Sequence, residues 1–303
     1  MRSLFFPLLA LIFSPFLLSI INRTKAIAGG RKGAPLLQPY LDLMKLLRKG
    51  AVYSRTTTWV FKAGPVIGLA ATVMCVFIVP FGAQAAPFAF PGDFVLLAYL
   101  LGLARFFVIS AAMDTGSSFE AMGASREAAF SALAEPALFI ALAAVARKTG
   151  ELSMSGMFHV MSVQGLDAGG NLPVVLLISA ALLIIFLTEN ARIPVDDPNT
   201  HLELTMIHEV MVLDHGGMDL AFIQYGSALK LWVLGAVLMG CVMPGSGASW
   251  WIDAVLFMSG MSGLAVLTGV IESSMARLRL VRLPQLLTGA GGLAALALIL
   301  VMR

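Results

Sequence analysis

The sequence predicts an all-α integral membrane protein, a single bundle of about eight transmembrane helices. Three observations predict it. Hydrophobic residue types make up 59% of the 303 residues and charged types only 12%, about half the ~25% of an ordinary soluble domain. The mean hydropathy is +0.90, which leaves too little polar surface to clothe a soluble fold. The apolar residues also fall in long runs, each close to the roughly 20 residues that carry a helix across a bilayer. Cys75 and Cys241, the two cysteines, both lie in such runs. That excludes a disulfide scaffold and a cysteine cluster for zinc or iron–sulfur. The formal charge of +3, with no basic run interleaved with aromatics, argues against nucleic-acid binding.

The first span, Ser3–Asn22, carries no charge. Ala26-Ile27-Ala28 resembles a signal-peptidase site, but a signal core is about 7–15 residues long and this run is longer. Arg23 and Lys25 follow it directly, so the helix is expected to be retained. Within the loop 23–62, Ala34–Lys49 places Leu36, Leu37, Tyr40, Leu43, Met44, Leu46 and Leu47 at helical spacing with Pro39 early, as in a short amphipathic helix. It reads either as a membrane-surface helix or as a docking surface for a soluble partner. Ala63–Gly92 is uncharged, and Pro80 suggests that its helix ends there. Phe94–Met113 is interrupted only by Arg105, and Ala128–Ala146 only by Glu135. Ala168–Thr188 is uncharged, and Leu220–Ile252 contains only Lys230. Ala254–Ile271 and Leu283–Met302 complete the set. No internal repeat or linker divides the chain, so residues 1–303 are expected to form one membrane domain.

Orientation follows from the basic residues. The loop 23–62 holds nine of them, and its side of the membrane gains Arg126, Arg192, Arg277, Arg279 and Arg282, making fourteen. The opposite side holds Arg2, Arg147, Lys148 and Arg303. Loops 23–62 and 189–219 are therefore expected in the cytoplasm and both termini outside. Loop 189–219 breaks the trend. It carries Glu189, Asp196, Asp197, Glu203, Glu209, Asp214 and Asp219 against Arg192 alone. Such a loop is solvated, or meets a partner, or collects protons, since clustered carboxylates raise one another's pKa values. His201, His208 and His215 recur every seven residues there. On a helix they would be spread over too great a length to share one metal ion, whose bonds are about 2 Å. Gly216-Gly217 reads as the end of that helix.

Ionisable residues inside a span cost about 2.5 kcal/mol or more each, and so default to functional candidates. Counted from the cytoplasmic ends, Arg105, Glu135 and Lys230 all lie roughly 12–15 Å deep, near the midplane. Glu127 lies two turns shallower than Glu135, with Ser131 between them. The group forms either a structural ion pair or a proton relay. No nucleophile–base pair, phosphate-cradling glycine loop or nucleotide fingerprint is found, so no catalytic residue is expected in this chain.

Four stretches together resemble a known family. Arg31-Lys32-Gly33-Ala34-Pro35-Leu36-Leu37-Gln38-Pro39-Tyr40-Leu41-Asp42-Leu43-Met44-Lys45-Leu46-Leu47 resembles the first cytoplasmic loop of the subunit 1 family of respiratory complex I, the NADH:quinone oxidoreductase. Gly123-Ala124-Ser125-Arg126-Glu127-Ala128, followed by Glu135, resembles that family's Gly-Ala-x-Arg element and membrane glutamate. Glu189-Asn190-Ala191-Arg192-Ile193-Pro194-Val195-Asp196 is similar to its Glu-x-x-Arg-x-Pro-Phe-Asp signature, with Glu203 beyond. Arg277-Leu278-Arg279 and Gln285 resemble its last cytoplasmic loop. There are departures. Val195 replaces phenylalanine, His201 a carboxylate and Phe130 a glutamine, and the first loop ends Lys49-Gly50. The stretches Asp196–Thr205, His208–His215 and Glu272–Arg279 instead look like the branch in membrane-bound group 4 NiFe hydrogenases. There the resemblance is strongest to the hydrogenase-4 C component and its formate hydrogenlyase relatives.

The resemblance implies a subunit of a prokaryotic inner (plasma) membrane that joins two arms. It would dock an iron–sulfur small subunit and a NiFe large subunit on its cytoplasmic face, through Arg31, Lys32, Gln38, Asp42, Lys45, Arg192, Asp196, Asp197, Glu209, Arg277 and Arg279. It would meet antiporter-like subunits in the bilayer. Glu135, Glu127, Arg105, Lys230, Glu189 and Glu203 would form a proton path. The NiFe centre and 4Fe-4S clusters would belong to the partners, with no metal or cofactor in this chain. A quinone-site subunit of complex I, an independent ion transporter and a passive anchor are the alternatives.

Overall fold

The structure is a computed structural model that describes residues 2–81, 84–164, 172–196, 206–243 and 250–302. Among these, α1 (Arg2–Ala28), α3 (Trp59–Ile78), α4 (Asp93–Asp114), α5 (Ser118–Thr149), α7 (Leu172–Glu189), α8 (Gly217–Val242), α9 (Trp250–Ser274) and α10 (Leu283–Met302) are connected by loops and two shorter helices, α2 (Gln38–Leu47) and α6 (Met154–Gln164). The eight long helices each contain a window long and apolar enough to span a membrane. The all-α membrane bundle expected from hydropathy is what the chain forms.

α8 is the most enclosed span, flanked by α1, α3, α7 and α9. Its Leu229, Trp232, Val233 and Ala236 are at most 1% exposed and anchor the apolar core. Outside it, α3 packs on α4, α4 on α5, and α10 on α5 and α7. Leu8, Ile12, Leu296 and Ile299 stay exposed on the outer faces, where lipid is as apolar as they are.

Local chemistry sets the helix ends and bends. Pro15 inside α1 has no N–H for the Leu11 carbonyl. The Tyr225 hydroxyl of α8 donates to that oxygen at 2.8 Å, and the Tyr40 hydroxyl of α2 donates to the neighbouring Ile12 oxygen at 2.6 Å. Thr58 caps α3, and its own N–H and hydroxyl donate to Asp114 at the end of α4 at 2.6 and 2.9 Å. At the opposite end, Asp93 accepts from the Ser153 hydroxyl and the Met154 N–H, tying α4 to the start of α6.

Several expectations are corrected. The amphipathic helix spans Gln38–Leu47 rather than Ala34–Lys49, because Pro39 fixes its first turn. α5 begins at Ser118, well before Ala128; its charged first turns pack under the 206–214 segment instead of forming a loop. Gly216-Gly217 does not end a helix but opens α8. Gly217 has φ +56°, and its missing side chain lets it lie against the backbone of Lys49 and Gly50. The 206–215 region holds a 3₁₀ turn, Glu209–Val212, and not a continuous helix through the histidines. His201 lies outside the described residues.

Candidate functional site

Arg105, halfway along α4 and 8% exposed, is the hub of a buried charge cluster. Its Nε lies 3.1 Å from Glu127 Oε1, and its two terminal nitrogens reach Glu135 of α5 and Glu189, the last residue of α7. Lys230 Nζ of α8 meets the same Glu189 oxygen at 2.8 Å. Four spans therefore converge on one group of charges. Because α7 stops against Arg105, the chain that follows it is set into the bundle rather than onto its surface. Glu127 and Glu189 are buried, whereas the Glu135 side chain is 42% exposed beside Gly102 of α4.

The chain of charges continues toward the loop-rich end. Glu127 Oε2 lies 3.2 Å from His208 Nε2, and His208 Nδ1 lies 3.9 Å from Asp196 Oδ2. Asp196 Oδ1 meets Arg277 Nη2 at 2.8 Å. A second group stands beside it: Glu272, its side chain fully buried, lies between Lys25 Nζ at 2.8 Å and Arg192 Nη1 at 3.4 Å. Burial alone would favour the neutral His208 ring. The Glu127 and Asp196 carboxylates outweigh it and raise the imidazole pKa to about 9. Burial likewise works against the Asp196 carboxylate, but His208 and Arg277 prevail and hold it below the usual range.

The sequence around these residues explains their placement. A side chain at Gly123 would collide with Val210 and with the Ile207 carbonyl, so only glycine lets the 206–212 segment lie on α5. One turn on, Arg126 Nη1 donates to the Met206 carbonyl at 3.0 Å. The Ile207 and His208 N–H groups donate to Asp196 Oδ2 at 3.0 and 3.3 Å. Ala191 takes a left-handed φ of +51°, and the Pro194 carbonyl accepts the Leu278 N–H at 2.9 Å. His208 is thus held over Glu127 from both sides.

A cavity of about 510 Å³ opens beside the cluster, between α1, α2, α3, α4 and α8. Its walls include the apolar Leu18, Leu43 and Leu69, while Arg105, Glu127 and His208 are on its lining.

Of the predicted proton-path residues, Arg105, Glu127, Glu135, Glu189 and Lys230 come together, with Lys230 on Glu189 rather than on Glu135. Glu203, like Asp197 of the predicted interface, lies outside the described residues. Arg31, Lys32, Asp42, Lys45, Glu209 and Arg279 are exposed, and Gln38 donates to Asp42 on α2 at 2.9 Å. Arg277 is half-buried. Arg192 and Asp196 are 7% and 1% exposed, so they are interior brackets and not free surface residues. Sequence reasoning missed His208 as a member of this group. The available signal was its place in the loop that also carries Arg192 and Asp196. His215 takes no part, its ring stacking on Phe61 with centroids 3.9 Å apart.

The family described as NADH dehydrogenase matches residues 2–303. The chain is similar to formate hydrogenlyase subunit 4 of Escherichia coli (strain K12), 29% identical over 98% of each chain. It is similar to hydrogenase-4 component C of the same organism, 29% identical over 95% of this chain and 91% of that one. The H-type chain of the NADH-quinone oxidoreductase of Rubrobacter xylanophilus is 30% identical over 67% of this chain and 60% of its own length. A chain in the structure of the membrane-bound sulfane sulfur reductase, an archaeal respiratory membrane complex, superposes with a TM-score of 0.82 at 18% identity. That match covers 99% of this chain and 98% of the other.

Proposed function

Because the chain belongs to the NADH dehydrogenase family, in its complex I subunit 1 type, we propose that it couples a peripheral redox arm to proton movement in the membrane arm. At the coarser level, it is a multi-pass membrane subunit of a complex I-like respiratory or hydrogenase-type assembly. In our reading the assembly is of the NiFe hydrogenase or formate hydrogenlyase type, in a prokaryotic inner membrane. The loop-rich end faces the cytoplasm, both termini lie outside, and this end receives the iron–sulfur and NiFe subunits. Those subunits carry the metal centres, while antiporter-like subunits flank the bundle in the bilayer.

The observation that carries the proton reading is the unbroken sequence of charged groups from Arg277, through Asp196, His208, Glu127 and Arg105, to Glu135 and Glu189. Charges buried at this cost are retained where they move ions or pair with one another. Here one end meets the loops and the other, Glu135, is half-exposed on the outer face of the bundle. Protons can be exchanged among the carboxylates and His208, while Arg105, which stays protonated, gathers Glu127, Glu135 and Glu189 around one guanidinium. The cavity favours a second reading, in which a hydrophobic carrier such as a quinone enters beside Arg105; Val195 and His201 depart from the quinone enzymes at their signature.

The test uses the assembled complex in sealed vesicles. Glu135→Gln keeps shape but cannot ionise. It should leave assembly intact and reduce proton translocation per turnover. Normal translocation in that variant would refute the proton path. Quinone-dependent turnover, with quinone retained in stoichiometric amount, would favour the second reading.

A further inference from the structure

None of the residues of α2 is fully buried. Leu37 at its N-cap, with Leu41 and Met44 beyond, are 62%, 55% and 53% exposed. They recur at i, i+4 and i+7 and so form one apolar row on the outer side of the helix. Pro39, Asp42 and Leu43, on its other side, line the cavity. A contiguous apolar row left open marks a surface that something covers.

Two contacts fix how the helix sits. Near its start, the Tyr40 hydroxyl donates to the Ile12 carbonyl at 2.6 Å. Ile12 lies midway between Arg2 and Arg23, the charges that flank the first span, and about 16 Å from the latter at 1.5 Å per residue. That is near the middle of a ~30 Å hydrocarbon layer, and a tyrosine side chain covers only part of the distance back to its edge. At the other end, the backbone of Lys49 and Gly50 lies against Gly217, where α8 begins. α2 therefore slopes down beside α8 from the membrane surface, with its N-terminal end deepest.

The helix is built for that slope. Pro39 has no N–H, and the N–H groups of Gln38, Tyr40 and Leu41 donate to the Pro35 and Leu37 carbonyls. The deep backbone donors are thus met within the chain, as hydrocarbon requires. The cations collect at the opposite end, where Lys45, Arg48 and Lys49 are exposed. Arg48 Nη2 folds back to Met44 Sδ at 3.9 Å, which lays its stem along the apolar row.

From this placement we infer that α2 is inserted into the leaflet at the loop-rich end and that its outer face binds anionic phospholipid. Acyl chains cover Leu37, Leu41 and Met44, while headgroup phosphates meet Lys45, Arg48 and Lys49. Such a helix binds more strongly the more apolar area it buries, and the attraction of its basic residues to anionic lipid adds to this. Lys45 then belongs to the lipid contact and not to the peripheral-arm interface, and the α2 wall of the cavity is backed by lipid. The inference does not depend on proton movement through the Arg105 cluster.

The test places the full chain, alone and in its complex, in nanodiscs of phosphatidylcholine mixed with phosphatidylglycerol. A nitroxide attached to Leu41→Cys should collide more often with dissolved oxygen than with an aqueous nickel chelate; Cys75 and Cys241 are buried and stay unlabelled. Phosphatidylglycerol should be enriched in the lipid that remains bound on detergent extraction. Lys45→Gln/Arg48→Gln should cut that enrichment roughly tenfold and leave the helical circular dichroism unchanged. Prevailing nickel collisions in the free chain would put the row in water, and loss of both kinds of collision in the complex would give it to the peripheral arm. Either result overturns the inference. So does unaltered enrichment in the double variant, or its failure to fold, since cations that meet only headgroups are not needed for packing.

Discussion

Arg105→Met tests the hub of the cluster, because it keeps an unbranched stem of similar length and removes only the guanidinium. The wild-type side chain meets Glu127 at 3.1 Å and also touches Glu135 and Glu189. Leaving one buried ion without its partner costs about 3–5 kcal/mol, so three orphaned carboxylates would suggest two or three times that. The structure argues for less. Glu189 keeps Lys230 at 2.8 Å, Glu127 keeps His208 at 3.2 Å, and the Glu135 side chain is 42% exposed. Glu189 and Glu127 each retain a partner. Glu135, whose exposed part faces an apolar layer rather than water, is the one left uncompensated, so the expected loss stays near the cost of one such ion, about 3–5 kcal/mol. The assay is reversible unfolding of the purified protein in mixed micelles as the fraction of denaturing detergent rises, followed by helical circular dichroism. Arg105→Met/Glu127→Gln removes one charge of each sign and should be more stable than Arg105→Met alone. A loss under about 1 kcal/mol for Arg105→Met, or strict additivity in the double variant, would refute the view that these charges act as one unit.

Further outcomes follow from the same contacts. Gly123→Ala should cost roughly 1–3 kcal/mol by overpacking against Val210 and the Ile207 carbonyl. It should also weaken turnover by lifting His208 off Glu127; unchanged unfolding and turnover would show that the segment yields freely. The raised pKa of His208 gives a pH dependence. Its contribution to stability is fully present below its unfolded value of about 6.5 and is lost as pH rises through about 9. The unfolding free energy should therefore drop across that window by about 3 kcal/mol, and His208→Gln should flatten the profile; an unchanged slope in the variant would assign it to other groups. Tyr225→Phe should cost about 1–2 kcal/mol by orphaning the Leu11 carbonyl. Pro15→Ala supplies that carbonyl with a backbone donor, so it should shrink the Tyr225→Phe effect, and equal effects in both backgrounds would deny the link.

The spans were legible because one property, a run of apolar residues of membrane length, dictates them. Buried charge was legible for a related reason. Arg105, Glu135 and Lys230 stand out in otherwise uncharged runs, and the folded chain brings all three into one cluster. What the sequence could not reveal was pairing between distant segments. That Lys230 would choose Glu189 over Glu135 depends on α7 ending against Arg105, and no local pattern records where one helix stops relative to another. Arg192 and Asp196 read as loop residues and therefore as exposed; they are buried because the turn around Ala191 folds inward and finds Glu272 and Arg277 waiting. The glycines misled for a physical reason. Gly216-Gly217 has the composition of a helix stop, but Gly217 is required by the close passage of Lys49 and Gly50, a contact invisible without the fold. Charges in the first turns of α5 disguised helix as loop, since a periodicity of polar residues does not betray a surface that another segment will cover.

The two tyrosines on α1 have a consequence for how a surface event reaches the interior. Tyr225 and Tyr40 hold adjacent carbonyls of a single turn, the one that Pro15 leaves open. One hydroxyl belongs to the span that carries Lys230, the other to the short helix at the loop-rich end. That turn is a shared hinge pin. The short helix cannot slide relative to α1 and the central span without surrendering the Tyr40 bond, at about 1 kcal/mol. Small displacements are thus resisted elastically, while a large one is all-or-none, so the rim and the centre of the cavity keep a fixed spacing until the load on the short helix exceeds what a single hydrogen bond can bear.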